Sequence, residues 1–195
     1  AFYQPKCVVI DIQTLTTLPE REYCAGLAEV IKYALLGDVD LLNTIEAQVE
    51  AIKARDKRVL ENLITKCCQQ KANIVCCDET EQNERALLNL GHTFAHVIEA
   101  ATQYQTYLHG ESVAIGLVMD AKLSALEGNL SDSDIFRIKS LLTRLGLPTE
   151  KPKVISPEVF YQWMLNDKKV LAGKLRLILL KKIGEAIISQ DYGLV

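Results

Sequence analysis

The 195-residue sequence is poor in several features, and each scarcity narrows what the protein can be. Its only methionines are Met119 and Met164, so Ala1 is not an ordinary translation start, and we expect a trimmed terminus or an excised domain. No apolar run reaches the ~20 residues that span a bilayer, and no basic-then-apolar leader opens the chain. The formal net charge of −3 gives no basic surface for nucleic acid. We therefore predict neither a membrane nor a nucleic-acid partner.

The six cysteines lack the spacings that would give them a structural role. The adjacent pairs Cys67-Cys68 and Cys76-Cys77 do not resemble the disulfide framework of a small secreted domain. They also lack the CxxC spacing of a zinc knuckle, although a metal site with four thiolate ligands is the alternative interpretation. We favour reduced thiols on a partly buried helix of a cytoplasmic protein.

Helix-forming segments account for most of the chain. A β-branched run over 6–12 predicts one short N-terminal strand, and apolar runs at 174–180 and 186–190 predict a small C-terminal hairpin across Gly184. Caps and breakers predict helices at 19–36, 39–52, 56–77, 83–102, 110–127, 131–145 and 157–165. With 49% hydrophobic and 24% charged residues, the chain is typical of globular proteins. The expected fold class is therefore mainly α, with minor β structure, in one domain.

The three histidines are clustered, which is the first functional signal. His92, His96 and His109 fall within eighteen residues of one another. On one predicted helix, His92 and His96 are four residues apart and continue a polar stripe through Arg85 and Asn89. A polar stripe is usually a solvated face, but solvated faces favour Lys and Glu over this composition. Imidazoles are ligands suited to zinc or another first-row metal.

A catalytic metal site would need a carboxylate from elsewhere in the sequence. His92 and His96 have the spacing of the histidines in HExxH, but no Glu follows His92. Glu29 is the candidate, because it lies in an otherwise apolar stretch and a buried charge needs a partner or a metal. A simple ion pair with Lys32, three residues on, explains Glu29 about equally well. The spacing alone leaves the ligand set open.

Three segments together resemble 3-dehydroquinate synthases. Their sequences are LPERE…AGLAEVIKY at 18–33, RALLNLGHTFAHVIEA at 85–100 and LHGESVA at 108–114. The resemblance extends over nearly all 195 residues but covers only the C-terminal half of that family. We therefore expect 1–195 to form the C-terminal domain, and the NAD-binding N-terminal domain to be absent from this chain. Ala34 and Ala95 stand where the family commonly has glycine, and both changes exchange one small residue for another.

The resemblance implies an activity and two cofactors. Members of the family are lyases that convert 3-deoxy-D-arabino-heptulosonate 7-phosphate to 3-dehydroquinate and phosphate, in the shikimate pathway. They use catalytic NAD and one divalent metal, zinc or cobalt, and commonly form homodimers. We expect the chain alone to be inactive.

Three alternatives to this activity remain. One is another sugar-phosphate cyclase, such as a 2-deoxy-scyllo-inosose or valiolone-type synthase. The second is a metal-dependent polyol dehydrogenase. Outside the enzymes, a non-catalytic helical binding module is the third.

The resemblance also implies roles for individual residues. It makes Glu29, His92 and His109 the metal ligands, and His96 an acid/base or phosphate-contact residue that faces the substrate. The residues that would hold the phosphorylated sugar-acid substrate are Lys32, Lys71, Arg85, Asn89 and either Lys168 or Lys169, of which we favour Lys168. The residues that would contact NAD are Thr14, Leu15, Thr16 and Thr17.

Overall fold

The computed structural model describes residues 5–78, 84–153, 155–165, 170–171 and 174–193. The α-helices are α1 (Glu20–Gly37), α2 (Val39–Ala47), α3 (Val49–Lys53), α4 (Lys57–Cys77), α5 (His92–Ala101), α6 (His109–Leu126), α7 (Asp132–Arg144) and α8 (Pro157–Leu165). Two 3-10 helices span Ile12–Thr16 and Glu84–Asn89. The strands are β1 (Val170–Leu171), β2 (Lys174–Lys182) and β3 (Glu185–Gly193). The mainly helical fold class is thereby confirmed.

Helix α6 lies at the centre of the domain. Its apolar residues are distributed around the whole helix rather than along one face, as expected for a helix surrounded by other elements, and eleven of its 18 residues are buried. Helices α1, α5 and α7 and strand β2 pack against it. Two hydrophobic clusters meet there, with Leu117 in one and Ile115 in the other. Neither helix α6 nor any other helix in the described ranges is long and apolar enough to cross a bilayer.

Strands β2 and β3 form the predicted antiparallel hairpin, in which Leu179 pairs with Ile187. Strand β1 adds two residues to the other edge of β2. Leu177 and Leu179 belong to one hydrophobic cluster and Ile178 and Leu180 to the other. Because successive side chains of a strand point to opposite faces, β2 buries both of its faces, which explains its continuous apolar run.

The predicted strand over 6–12 is wrong. Residues 6–11 are without regular secondary structure, and Ile12 begins a 3-10 helix. Val8, Val9 and Ile10 are 69%, 88% and 50% exposed. A β-branched run forms a strand only beside a partner strand, and the described part of the chain pairs none with it.

Two helices that the sequence predicts as continuous are interrupted. The segment 39–52 contains two short helices, α2 and α3, that meet at Gln48. The segment 83–102 contains a 3-10 helix followed by α5, with the break at Leu90 and Gly91. Gly91 has a φ of 79°, a left-handed conformation that an α-helix cannot continue through. This second break determines where the histidines of α5 lie.

Candidate metal centre

Three potential metal ligands from three helices converge at one point. Glu29 lies in the middle of α1, His92 is the first residue of α5 and His109 is the first residue of α6. One ligand atom from each lies within 4.8 Å of the others. Glu29 Oε1 is 3.5 Å from His92 Nε2 and 3.7 Å from His109 Nε2. Among the described residues, this is the group of acidic, His and Cys side chains able to hold a metal ion.

The two oxygens of Glu29 have different environments. Oε2 accepts a hydrogen bond of 2.5 Å from Lys32 Nζ, so the predicted ion pair is present. Oε1 is buried and has no hydrogen-bond partner within the described part of the chain. A buried carboxylate oxygen without a partner is costly, and it faces two imidazole nitrogens. The donor set therefore fits a divalent cation placed between Oε1 and the two Nε2 atoms.

Both imidazoles are held through their Nδ1 atoms. His92 Nδ1 lies 3.0 Å from the carbonyl oxygen of Leu90, and His109 Nδ1 lies 2.9 Å from Glu99 Oε1. A carbonyl or carboxylate oxygen can only accept, so each contact assigns the proton to Nδ1. Each Nε2 then carries the lone pair that a metal ligand needs, and each lies within 3.7 Å of Glu29 Oε1.

His92 is strongly biased toward its neutral form. Burial, with a smaller contribution from the positive charge of Lys32, lowers the pKa of His92 to about 4 despite the raising effects of the Leu90 carbonyl and Glu29. A neutral imidazole is the form that binds a metal. Desolvation of this histidine therefore keeps it ready as a ligand near neutral pH.

Close packing of α6 against α1 positions His109 next to Glu29. A Cβ atom on Gly110 would lie 1.9 Å from the carbonyl oxygen of Ala25, one turn before Glu29, so only glycine allows this approach. Arg21 of α1 binds both carboxylate oxygens of Glu111 at 2.7 Å. The Arg21 guanidinium lowers the pKa of Glu111, which also accepts from the backbone N–H of Leu108 and so caps α6.

The centre is open to solvent on one side. The side chains of His92, Glu29 and His109 are 14%, 34% and 51% exposed. Catalytic zinc sites combine three protein ligands with a position left for water or substrate, whereas structural sites are closed by four. The exposed side of His109 provides such an opening.

Two further predicted residues lie at this centre. His96 is half-buried one turn beyond His92, with the two ring centroids 5.9 Å apart. Lys32 is only 5% exposed. Its ammonium group forms the ion pair with Glu29 and lies 5.2 Å from the ring centre of Tyr33. The prediction that His92 and His96 share a helix face is confirmed.

The continuous polar stripe that the sequence predicts is wrong at its N-terminal end. Arg85 and Asn89 lie on the 3-10 helix, and the left-handed Gly91 separates them from α5. Both are half-buried; the backbone N–H of Arg85 donates to Asp78 and Asn89 Nδ2 donates to the carbonyl of Ala86. Their helical spacing from His92 therefore does not determine how near they lie to the histidines.

The other predicted contacts lie on exposed elements or outside the described residues. Lys71 is exposed on α4, and the described contacts of the triad do not include it. Residues 14–17 end the first 3-10 helix, where Leu15 is half-buried and the three threonines are exposed. Arg55 donates hydrogen bonds to the carbonyls of Leu15 and Thr16. Lys168 and Lys169 lie outside the described residues.

All six cysteines are free thiols. Four of them lie on α4, where Cys67 is half-buried and Cys68, Cys76 and Cys77 are exposed. Burial raises the pKa of Cys67 to about 12, so this group is a thiol rather than a metal-binding thiolate at neutral pH. No cysteine belongs to the described group of potential metal ligands.

Glu99 is a further residue of the centre that the sequence motifs do not indicate; it is 7% exposed and contacts His109. A signal for it existed. Glu99 is an acidic residue amid the apolar stretch Val97–Ala101, the pattern that singled out Glu29. A buried carboxylate needs a partner, but only the fold reveals that the partner is His109.

Comparisons with known proteins agree on one family. The model of the family described as 3-dehydroquinate synthase C-terminal matches residues 26–170. A 3-dehydroquinate synthase of Acinetobacter baumannii (strain AYE) is 51% identical over 192 residues, which are 98% of this chain and 53% of that protein. One from Dichelobacter nodosus (strain VCS1703A) is 49% identical over 98% of this chain and 52% of its own length. The chain thus spans about half the length of these curated relatives.

Solved structures of sugar-phosphate cyclases share the fold. A 2-epi-5-epi-valiolone synthase from Streptomyces hygroscopicus subsp. jinggangensis 5008, with NAD+ and Zn2+ bound, superimposes with a TM-score of 0.84 at 27% identity. That match covers 93% of this chain and 51% of the other. A 2-deoxy-scyllo-inosose synthase complexed with carbaglucose-6-phosphate, NAD+ and Co2+ has a TM-score of 0.80 at 24% identity, over 92% of this chain and 52% of its own.

Proposed function

The chain belongs to the 3-dehydroquinate synthase C-terminal family, and from that membership we propose that it forms the metal- and substrate-binding half of a 3-dehydroquinate synthase. The reaction would convert 3-deoxy-D-arabino-heptulosonate 7-phosphate to 3-dehydroquinate and inorganic phosphate. The observation that carries the proposal is the unpartnered Oε1 of Glu29, which faces the Nε2 atoms of His92 and His109.

Glu29, His92 and His109 would hold the divalent metal, zinc or cobalt. When bound, that ion supplies Lewis-acid polarisation of a substrate hydroxyl and a template for vicinal oxygens. The relative with zinc in its structure supports this chemistry. Lys32 donates to Oε2 of Glu29, which would leave Oε1 available to hold the ion.

His96 would transfer protons beside the metal. Its ring lies 5.9 Å from that of His92, on the same face of α5, and it is half-buried. Imidazole is the side chain best suited to gain and lose a proton near neutral pH. Removal of a substrate C–H proton and departure of phosphate both need such a group within reach.

Cationic and amide side chains would hold the anionic ends of the substrate. A carboxylate and a phosphate dianion call for charge-assisted hydrogen bonds, and Arg85 offers a planar guanidinium that can bind phosphate through two donors. Lys32, Lys71, Asn89 and Lys168 complete the proposed set. Ring closure would then depend mainly on holding the chain of the substrate in the reactive geometry.

NAD would bind between this domain and an N-terminal half, and the turn over residues 14–17 would contact it from this side. NAD supplies a hydride acceptor that returns the hydride within one turnover. We propose that the chain by itself does not complete the reaction, because it spans about half the length of its relatives. A homodimer, as in the family, remains part of the proposal.

Another sugar-phosphate cyclase activity is the second candidate, because the valiolone synthase superimposes so closely. Sequence identity favours the first candidate, because this chain is 51% identical to the 3-dehydroquinate synthase of Acinetobacter and 27% identical to the valiolone synthase. Both candidates would use the same metal triad and would be distinguished by the substrate that they accept.

The test joins this chain to the N-terminal half of the Acinetobacter relative and measures phosphate release. Equal concentrations of 3-deoxy-D-arabino-heptulosonate 7-phosphate, glucose 6-phosphate and sedoheptulose 7-phosphate are compared. We expect turnover of the first alone, with no net NADH. Preference for either of the other substrates would overturn the proposal in favour of another cyclase, and net NADH would indicate a dehydrogenase.

A matched pair of variants tests whether this half of the fused enzyme supplies the catalytic metal site. The same fusion carrying His92→Ala should release no phosphate, whereas Lys57→Ala, an exposed change on α4, should leave the rate unchanged. A His92→Ala fusion as active as the unaltered one would contradict the proposed site.

A further inference from the structure

Helix α6 carries a buried carboxylate, Asp120, that has no role in the proposed reaction. The residue is 2% exposed, and its Oδ2 accepts a hydrogen bond of 2.5 Å from the backbone N–H of Gly91. The two residues are 29 positions apart, so this is a tertiary contact between α6 and the turn that precedes α5. The next residue after Gly91 is His92.

The bond links Asp120 to His92 through one peptide group. The N–H of Gly91 and the C=O of Leu90 belong to the same planar peptide unit. Its N–H end donates to Asp120, and its C=O end accepts from Nδ1 of His92 at 3.0 Å. Hydrogen bonds at the two ends of one peptide polarise each other, so the carboxylate strengthens the acceptor that fixes the imidazole.

The same helix also fixes the other side of the turn. A Cβ atom on Gly116, one turn before Asp120, would lie 2.0 Å from the carbonyl oxygen of Gly91. The Leu117 side chain lies 3.1 Å from the point where a Cβ of Gly91 would be. Gly91 is therefore enclosed by α6, in a left-handed conformation with a φ of 79°.

We propose that Asp120 is a positioning residue for His92, which sets its tautomer and ring orientation through the Leu90–Gly91 peptide. His109 receives the same support directly from Glu99, so each histidine would have one buried carboxylate behind it. The proposal rests on the proposed metal site. It adds that α6 determines the geometry of two ligands: it carries His109 as its first residue, and it orients His92 through Asp120.

The test measures zinc affinity by chelator competition in metal-free chains carrying Asp120→Ala and Asp120→Asn. Outer partners of metal ligands are typically worth 10- to 100-fold in affinity, and we expect a loss of about this size for D120A. Asn keeps an oxygen that can accept from Gly91, so D120N should recover most of the affinity. The ¹⁵N shifts of the His92 ring in the metal-free chain should show Nδ1–H in the unaltered protein and a mixture of tautomers in D120A.

Ser124→Ala is the matched control on the same helix. Ser124 is fully buried, and its Oγ donates to the backbone of Asp120 and accepts from Leu180 N of β2. We expect S124A to lower thermal stability while zinc affinity and the His92 tautomer stay unchanged. An equal loss of affinity in S124A and D120A would mean general damage and would overturn the proposal.

The remaining outcomes separate this proposal from the metal site itself. If the unaltered chain binds no zinc, the proposed function fails, while the tautomer measurement still tests Asp120. If it binds zinc and folded D120A binds within twofold, with the His92 tautomer unchanged, Asp120 does not position His92. Should D120A fail to fold, a folded Asp120→Ser variant decides in its place: zinc affinity and a His92 tautomer that are both unaltered in D120S would overturn the inference.

Discussion

The metal triad and the polar residues proposed to hold substrate differ in how the fold positions them. Glu29, His92 and His109 come from three helices that pack on one another. Buried partners bind the atoms that do not face the centre, namely Oε2 of the carboxylate and Nδ1 of each imidazole. Lys71, by contrast, is exposed on α4, and Arg85 lies on a short 3-10 helix.

The difference indicates which part of the site is organised before anything binds. Helix packing and buried hydrogen bonds fix the ligand atoms to within 4.8 Å of one another. A cation placed there would gain its affinity from an existing arrangement, and substitutions at the triad should therefore act on metal binding. Substitutions of the proposed substrate-binding residues on α4 and on the 3-10 helix over Glu84–Asn89 should change substrate binding and leave zinc affinity unaltered.

The largest effect expected is the loss of metal binding on removal of a ligand. His92→Ala should lower zinc affinity by more than the roughly 100-fold seen for outer partners, because a ligand atom disappears. His96→Ala is the matched control one turn along α5: metal affinity should be retained, while the fused enzyme loses about 100-fold or more in rate as an acid/base is removed. Equilibrium dialysis with zinc checks the first result, and stoichiometric zinc in H92A would contradict it.

The second prediction concerns pH and the stability of the metal-free chain. Burial lowers the pKa of His92 to about 4, whereas the unfolded chain titrates near 6.5. As pH falls from about 6.5 to 4, the unfolded state takes up the proton first, so the free energy of unfolding falls by up to about 3 kcal/mol. Above pH 6.5 this contribution is constant. Urea unfolding of the metal-free protein at pH 7.5 and 4.5 measures it.

Matched histidine variants isolate that contribution. His92→Gln should remove this part of the pH dependence, and His109→Gln, at a side chain 51% exposed, should retain it. A pH profile that is the same in H92Q and the unaltered chain would show that His92 is not desolvated as described.

A smaller loss of zinc affinity is expected on substitution of Glu99. Glu99→Gln keeps the size of the side chain but weakens the acceptor for His109 Nδ1–H, and zinc affinity should fall by about 10- to 100-fold. Glu22→Gln, an exposed change on α1, should have no effect on affinity. Chelator competition measures both, and equal affinities would mean that the carboxylate does not support His109.

The smallest change in zinc affinity is expected on substitution of Lys71. Lys71→Ala should leave zinc affinity within about twofold, because Lys71 is exposed on α4 and outside the described contacts of the triad. In the fused enzyme the same change should lower kcat/KM for the phosphorylated substrate, as the loss of a cation that binds an anion predicts. A large fall in zinc affinity would show that the two parts of the site are coupled.

Much of the fold follows from local sequence signals, whereas its long-range pairings do not. Caps and breakers predict most of the helices, and the apolar runs predict the hairpin. The break at Gly91 does not follow from the sequence, because a single glycine costs a helix only about 1 kcal/mol and the surrounding pattern predicts a continuous helix. Residues 6–12 have the composition of a strand, but β propensity does not reveal whether a partner strand is present.

Within the site, spacing predicts the pair Glu29 and Lys32 and the shared face of His92 and His96. Periodicity relates residues on one element only, so it cannot bring Glu29 to the histidines or Glu99 to His109. The meeting of α1 with the starts of α5 and α6 was expected only from resemblance to a family. No sequence pattern marks Asp120, because the group that it binds at Gly91 is a backbone amide.

The central claim is that Glu29, His92 and His109 bind one metal ion. X-ray absorption at the zinc edge of the reconstituted chain tests it most directly, because it reports ligand type and distance. We predict one zinc per chain with nitrogen and oxygen neighbours at about 2.0–2.2 Å, lost in E29A, H92A and H109A. Sulfur neighbours at about 2.3 Å, or zinc retained in those variants, would contradict the account and point instead to the cysteines of α4.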